Sequence, residues 1–502
     1  MSSLRADITS HPPTVIRGSE IISALSFALD LTEGQAPGHS VQSCMTGMRL
    51  AAQINLPPDA RAALYYALLL KDAGCSSNAS KLFHIIQADE IRAKGDVKDK
   101  DWTRVAWDSV RYAVDHVATG KPFLERMRTL IQVAANHRAD SHVLVKIRCE
   151  RGSSIARRMG FPESAAMAIH CLDEHWDGGG YPDGLRGEQI PLLSRIMNLA
   201  QTLAVFWNTY GPATAIEVIE KRAGKWFDPD LVKAAKSLAH TGALWSGLKS
   251  ENLLSEVGAL EPRDSHLLVN EEMLDNVCLA FAEVIDAKSP FTYRHSNGVA
   301  QAAVGIAGQL GMPAEEINLI RRAALLHDIG KLSVPNTILE KPDKLTESEW
   351  QVVRKHPYYT LEILSRIPGF ADLSDIAAAH HEKLDGSGYF RHWGAEQLTM
   401  PARILAVADV YDALAARRPY RDALPLEAVW NLMHKDAPRA LDAECLEALE
   451  ASHSVPGTAS LAALAGLHRI NVPANDSSHP PSSAPVQIDS SDTTCAPDAV
   501  RT

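Results

Sequence analysis

Apolar residues recur at three- and four-residue spacing along most of the chain. Ile21, Leu25, Phe27 and Leu29 do so near the start, Leu64, Ala67, Leu68 and Leu70 further on, and Leu319, Ile320, Ala323 and Leu326 in the second half. With about 3.6 residues per turn, that spacing lines one face of an α-helix. Alternation at every second residue, the mark of a half-buried strand, is scarce. Pro and Gly fall between the periodic stretches, as at Gly311-Met312-Pro313, Pro335-Asn336 and Pro368-Gly369, and both residues interrupt helices. The pattern therefore predicts an all-α fold of many short helices. The last stretch, Asn471 to Thr502, is rich in Pro, Ser and Asp and has no aromatic residue, so it is expected to be disordered.

The helical pattern repeats. Asp177 to Gln201 (DGGGYPDGLRGEQIPLLSRIMNLAQ) aligns without a gap on Asp385 to Asp409 (DGSGYFRHWGAEQLTMPARILAVAD), an offset of 385 − 177 = 208. Upstream, Gly38-His39-Ser40 matches Arg294-His295-Ser296, and Leu68 to Cys75 (LLLKDAGC) matches Ala324 to Lys331 (ALLHDIGK), both at an offset of 256. The first copy thus carries 256 − 208 = 48 additional residues, assigned to a helical Lys81 to Val145 region. These matches predict two tandem helical bundle domains, at 18–240 and 269–455. Around them lie an N-terminal extension (1–17), a linker (241–268) and a mostly disordered tail (456–502).

Composition narrows the class. At about 150 residues per domain, 502 residues suggest about three domains, and the repeat reduces that to two enlarged copies and a tail. Fifty Lys plus Arg against 61 Asp plus Glu give a net charge of −11, a field that repels polyanions and argues against DNA binding by bulk charge. The seven cysteines, Cys44, Cys75, Cys149, Cys171, Cys278, Cys445 and Cys495, are odd in number and show no C-x-x-C spacing. Neither a disulfide scaffold nor a Cys-ligated zinc site is expected. The N-terminus lacks a signal-peptide pattern, and no run reaches the roughly 18 apolar residues of a membrane span, so a cytoplasmic protein with no membrane partner is expected.

The second copy concentrates metal-ligating residue types. His295, the pair His327-Asp328, His356, the pair His380-His381, and Asp409 spread over several predicted helices. Imidazole and carboxylate suit first-row divalent ions, a carboxylate such as Asp328 can bridge two of them, and two such ions can activate water for attack on a phosphodiester. A lone helical histidine is more often structural or a surface residue. Here the weight lies in the joint order H…HD…H…HH…D, with Ile-Gly-Lys after HD and Glu-x-x-Asp-Gly-x-Gly-Tyr after HH.

That order resembles the HD-GYP family within the HD superfamily of metal-dependent phosphohydrolases. The motifs are HDIGK (His327 to Lys331), HHEKLDGSGY (His380 to Tyr389) and ADVYDALAARRPYR (Ala408 to Arg421). The likeness covers about Glu271 to Ser452 strongly and Gly18 to Ala239 weakly. It implies a helical bundle holding two divalent ions, iron or manganese, on His295, His327, Asp328, His356, His380, His381 and Asp409. It implies Lys331 and Asp328 as catalytic residues, and Arg418, Arg421, Gly388 and Tyr389 in contact with substrate. The implied function is hydrolysis of a cyclic dinucleotide, cyclic di-GMP first, to pGpG or GMP by two-metal hydroxide attack. Another nucleotide such as cyclic GMP-AMP is the alternative substrate. A non-catalytic signalling adaptor binding diguanylate cyclase (GGDEF-type) partners is the alternative of a different class, and a homodimer is a further expectation. Two departures stand out. Gly-Tyr-Pro reads Gly388-Tyr389-Phe390, and Phe291 replaces a glutamate that some three-metal relatives carry, which favours two metals.

The first copy has lost most of this set. His39 and Asp72 remain, but His327 corresponds to Lys71, His380 to Leu172, His381 to Asp173, Asp409 to Gln201 and Lys331 to Cys75, while the region of His356 reads Arg148-Cys149-Glu150. A lysine in a ligand position puts a positive charge where a cation should sit, so this copy is expected to bind no catalytic metal. It keeps the loop Asp177 to Pro182 (DGGGYP), which either holds the fold together or serves as a docking or regulatory surface.

Overall fold

The computed structural model describes residues 17–98, 112–262, 269–290, 292, 294–415 and 423–454. The tail expected to be disordered, nearly all of the N-terminal extension, and Phe291, Arg418 and Arg421 lie outside the described residues.

The all-α expectation holds. In the first half run α1 (Gly18–Thr32), α2 (His39–Gln53), α3 (Pro58–Leu70), α4 (Ala79–Ile86), α5 (Glu90–Lys98), α6 (Phe123–Arg158), α7 (Glu163–His170), α8 (Leu192–Tyr210), α9 (Pro212–Lys221), α10 (Pro229–His240) and α11 (Leu253–Gly258). The second half has α12 (Glu271–Asp286), α13 (His295–Gln309), α14 (Ala314–Leu326), a 3₁₀ turn (Ile329–Ser333), α15 (Asn336–Leu339), α16 (Glu347–Val353), α17 (His356–Leu364) and α18 (Ala371–Ala378). It closes with α19 (Met400–Ala415), α20 (Leu426–Asp436) and α21 (Ala443–Ser454). No strand occurs among the described residues, where the β-type pairings are two isolated bridges, Ala223–Phe227 and Asp385–Gly394. Cys44, Cys75, Cys149, Cys171, Cys278 and Cys445 are buried, and no disulfide links them.

The described residues form two compact units that cut across the repeat: those within 17–293 together with 326–378, and those within 294–325 together with 379–454. In the first unit α2 packs on α3 and α8, and α7 on α3 and α6, around Leu64, Tyr65, Leu68, Leu199 and Leu203, all fully buried. Residues from the stretch expected to be a linker join this core. Leu244, Leu248 and Val257 are buried, and the Glu261 carboxylate, 3% exposed, accepts hydrogen bonds from Ser19 Oγ (2.7 Å) and the Tyr66 hydroxyl. The 3₁₀ turn 329–333 packs against α1, α12 and α17 in the same unit. The second unit is built on α13 against α19 and α21.

The two copies share more than pattern. Arg195 pairs with Asp228 at 2.7 Å in the first, and Arg403 with Asp442 at 3.0 Å in the second. The same correspondence extends to the loop. Glu174 accepts the backbone N–H groups of Asp183, Gly184 and Leu185 at 2.6–3.1 Å, and Glu382, at 382 − 174 = 208, accepts those of Arg391 (2.7 Å) and Trp393 (3.1 Å). Burial raises both carboxyls above the ordinary range, and backbone donors that would otherwise be orphaned are satisfied. In both loops the third small residue is a glycine pressed on that glutamate. A Cβ on Gly180 would lie 2.5 Å from Glu174 Cα, and one on Gly388 would lie 2.5 Å from Glu382 Cα.

Candidate metal centre

Four of the residues singled out from sequence meet in the first unit. α14 delivers His327 and Asp328 at its C-terminal end, the 3₁₀ turn carries Lys331, and His356 is the first residue of α17. His327, Asp328 and His356 are 0% exposed and Lys331 2%. Asp328 is the hub. Its Oδ2 lies 3.2 Å from His327 Nε2 and accepts a hydrogen bond from Lys331 Nζ at 2.7 Å, while Oδ1 lies 3.4 Å from His356 Nε2. Burial alone would raise this carboxyl, but His327, Lys331 and His356 around it hold it well below the ordinary carboxylate range. The turn is locked from below: Gly330 N–H donates to Thr360 Oγ1 (3.1 Å), which donates to the His327 carbonyl (2.8 Å).

The second unit gathers the rest. His295 opens α13 and Asp409 lies on α19, both at 3% exposure or less; His380 is buried and His381 half-buried. His295 Nε2 is 3.2 Å from Asp409 Oδ1, and His381 Nδ1 is 3.8 Å from Asp409 Oδ2. The His380 and His381 rings stand 4.1 Å apart, and Tyr389 packs on His381 at 4.7 Å.

The donor chemistry fits a cation in each unit. His356 Nδ1 lies 2.7 Å from the Val353 carbonyl, an oxygen that only accepts, so Nδ1 is the donor there and Nε2 is the nitrogen that faces Asp328. His295 repeats the arrangement: Nδ1 is held by Asp412 Oδ2 at 2.6 Å, and Nε2 faces Asp409. Fixing one ring nitrogen to aim the other is how proteins orient metal-binding imidazoles. Burial disfavours the imidazolium of His295, yet Asp409 and Asp412 outweigh it and push the pKa up to about 9. A cation on Nε2 would take the place of that proton.

Sequence reasoning missed Asp412, one turn beyond Asp409, and Gly298, one turn beyond His295. A Cβ on Gly298 would sit 1.9 Å from Asp412 Oδ1, so only glycine leaves room for the carboxylate that holds His295. Glu382 was missed as well. Gly388, expected to touch substrate, is buried against Glu382, and Tyr389 lies beside His381. The expected phosphate contacts Arg418 and Arg421 fall outside the described residues.

The matching region of the first copy is filled by its own cations. Lys71 pairs with Asp72, Arg148 with Asp173, and Lys94 Nζ lies 3.2 Å from Glu33 while donating to the Cys75 carbonyl at 2.6 Å. Glu33, Asp72 and Cys75 lie close enough to share an ion. Burial, with Glu33 and Asp72 alongside, raises the Cys75 thiol well above its ordinary value, which keeps it protonated and a poor ligand.

The HD domain family model matches residues 123–231 and 280–445, a stretch in each copy. The 3'3'-cGAMP-specific phosphodiesterase 3 of Vibrio cholerae is 40% identical over 432 residues, spanning 86% of this chain and 94% of that protein. The cyclic di-GMP phosphodiesterase response regulator RpfG of Xanthomonas campestris is 37% identical over 201 residues, 40% of this chain and 50% of that protein. Among solved structures, that of a cyclic GMP-AMP-specific phosphodiesterase of V. cholerae matches with a TM-score of 0.62 and 37% identity, covering 88% of this chain and 99% of that one. An all-helical fold with histidines and aspartates gathered in each unit defines the class as a metal-dependent phosphohydrolase. The chain belongs to the HD domain family, and its motifs place it with the HD-GYP type.

Proposed function

We propose that the chain is a metal-dependent phosphodiesterase for cyclic dinucleotides. The observation that carries this reading is Asp328, a fully buried carboxylate that meets His327, His356 and Lys331 at once. That combination suits a bridging metal ligand beside a phosphate-stabilising ammonium. By family resemblance the ligands for two divalent ions, iron or manganese, are His295, His327, Asp328, His356, His380, His381 and Asp409. Bound there, the ions supply Lewis acidity and lower the pKa of a nearby water. The protein's own part is to hold and orient. Lys331 stabilises phosphate charge or protonates a leaving oxygen. By family resemblance Arg418 and Arg421 pair with phosphate oxygens, a role that suits the guanidinium fork. Tyr389 supplies an aromatic wall next to His381.

Within the class, the sequence motifs alone put cyclic di-GMP first. The relative matching across both copies, at 40% identity over 432 residues, bears 3'3'-cGAMP specificity in its name, and that favours 3'3'-cGAMP. Incubating manganese- or iron-loaded protein with the two substrates side by side decides the matter. Linear product from 3'3'-cGAMP at the higher kcat/KM is expected, and Asp328→Ala should abolish turnover of both. A higher kcat/KM for cyclic di-GMP would reverse the substrate order, and turnover of neither would end the enzyme reading.

A further inference from the structure

The insertion that enlarges the first copy does more than extend it. Glu90, at the start of α5, is 0% exposed. Its Oε1 accepts from Lys288 Nζ at 2.9 Å, and both carboxylate oxygens lie 3.0 Å from the Asn336 N–H. Lys288 is itself 1% exposed; burial lowers its pKa and Glu90 is the largest opposing influence. Asn336 Nδ2 donates to the Lys288 carbonyl at 2.9 Å and to Glu340 Oε1 at 2.5 Å, and Ser80 Oγ, from α4, donates to Glu340 Oε2 at 3.1 Å. Helices α4 and α5 thus clasp two segments of the second copy within one compact unit.

Those segments are not arbitrary. Lys288 stands 295 − 288 = 7 residues before His295, and Asn336 stands 336 − 331 = 5 residues after Lys331. Little slack separates Asn336 from the HD turn. Leu332 and Val334 are 0% exposed, Val334 N–H donates to the Lys331 carbonyl at 3.0 Å, and Ser333 Oγ donates to the Gly330 carbonyl at 2.8 Å. A shift at Asn336 must therefore be passed to Lys331. Stability alone does not explain the clasp, because a buried ion pair seldom outperforms well-packed apolar residues of the same volume. What a carboxylate adds is direction, through a charge-assisted bond to one chosen backbone N–H.

We propose that Glu90 is a positioning residue for the catalytic copy, acting through Asn336 on the turn that carries Asp328 and Lys331. The degenerate copy is then a structural component of the active enzyme. This rests on the phosphodiesterase reading above.

Replacing the pair together, Glu90→Leu with Lys288→Met, removes both charges without orphaning either and deletes the acceptor for Asn336. Glu90→Gln with Lys288→Met restores an acceptor. The leucine double variant is expected to keep wild-type metal content and lose about tenfold in kcat with KM within about twofold, the glutamine variant recovering most of the loss. Amide hydrogen exchange across residues 329–340, measured without metal or substrate, should quicken in the leucine variant and slow again in the glutamine one. A folded leucine variant with wild-type kcat and exchange overturns the proposal. Should that variant not fold, Asn336→Pro decides. It deletes the N–H at the first position of a helix, where proline is tolerated; lower kcat at constant KM supports the positioning role, and wild-type kcat refutes it. Inactive wild-type protein would instead count against the phosphodiesterase reading, and the exchange experiment would still test the clasp.

Discussion

An imidazole can offer either ring nitrogen to a cation, and the group holding the other nitrogen makes the choice. For His356 the Val353 carbonyl holds Nδ1, and for His295 the Asp412 carboxylate does. Asp412 can reach His295 because residue 298 has no Cβ to block it. Asp412→Asn is therefore expected to weaken metal binding by about 10- to 100-fold, as loss of such partners generally does. Gly298→Ala should weaken it in the same direction by displacing the same carboxylate. Titration of chelator-treated protein with manganese checks both, and unchanged affinity in the two variants would refute the orienting role. The proposed ligands were legible in the sequence because their spacing and order are unusual. Asp412 and Gly298 were not, since an aspartate three residues after a ligand and a glycine three residues after a histidine are ordinary on any helix. Their meaning appears only where α13 packs on α19.

At the scale of elements, helix positions followed from apolar spacing and from Pro and Gly punctuation, whereas the Asp-Gly-x-Gly-Tyr loop was legible as a motif but not as a mechanism. The buried carboxylates of Glu174 and Glu382 gather backbone N–H groups in each copy, and Gly180 and Gly388 allow the close approach. Such a staple needs no metal, which gives a structural reason for a copy that has lost its ligands to keep its loop. The copies part at the next residue: Pro182 in the first and Phe390 in the second, where φ is +95°. Proline is confined to φ near about −65°, so installing the family's proline by Phe390→Pro forces a different backbone path. Its expected cost is about 2 kcal/mol or more, read as a lower denaturation midpoint. A variant as stable as the parent would show that the loop accommodates both paths.

Across the whole molecule, duplication has yielded two copies that solve one electrostatic problem differently. Buried carboxylates need compensation. In the second copy imidazoles and the Lys331 ammonium surround Asp328, in an arrangement suited to mobile cations. In the first, Lys71, Lys94 and Arg148 are fixed cations set against Asp72, Glu33 and Asp173. The substitution was readable at Lys71, which replaces a ligand in register. Lys94 was not, because it belongs to the insertion and has no counterpart to align with, and its partner Glu33 carries no motif. If fixed charges have replaced metals there, the chain should bind about two divalent ions rather than four, in line with a two-metal centre in one copy alone. Metal analysis of protein purified without oxygen measures this directly. Asp328→Ala should lower the content. Lys71→Met combined with Asp72→Ala, which removes both members of the buried pair together, should leave it near two. A content near four in the wild type, or a fall in that double variant, would mean that the first copy still holds metal and that its lysines do not stand in for ions.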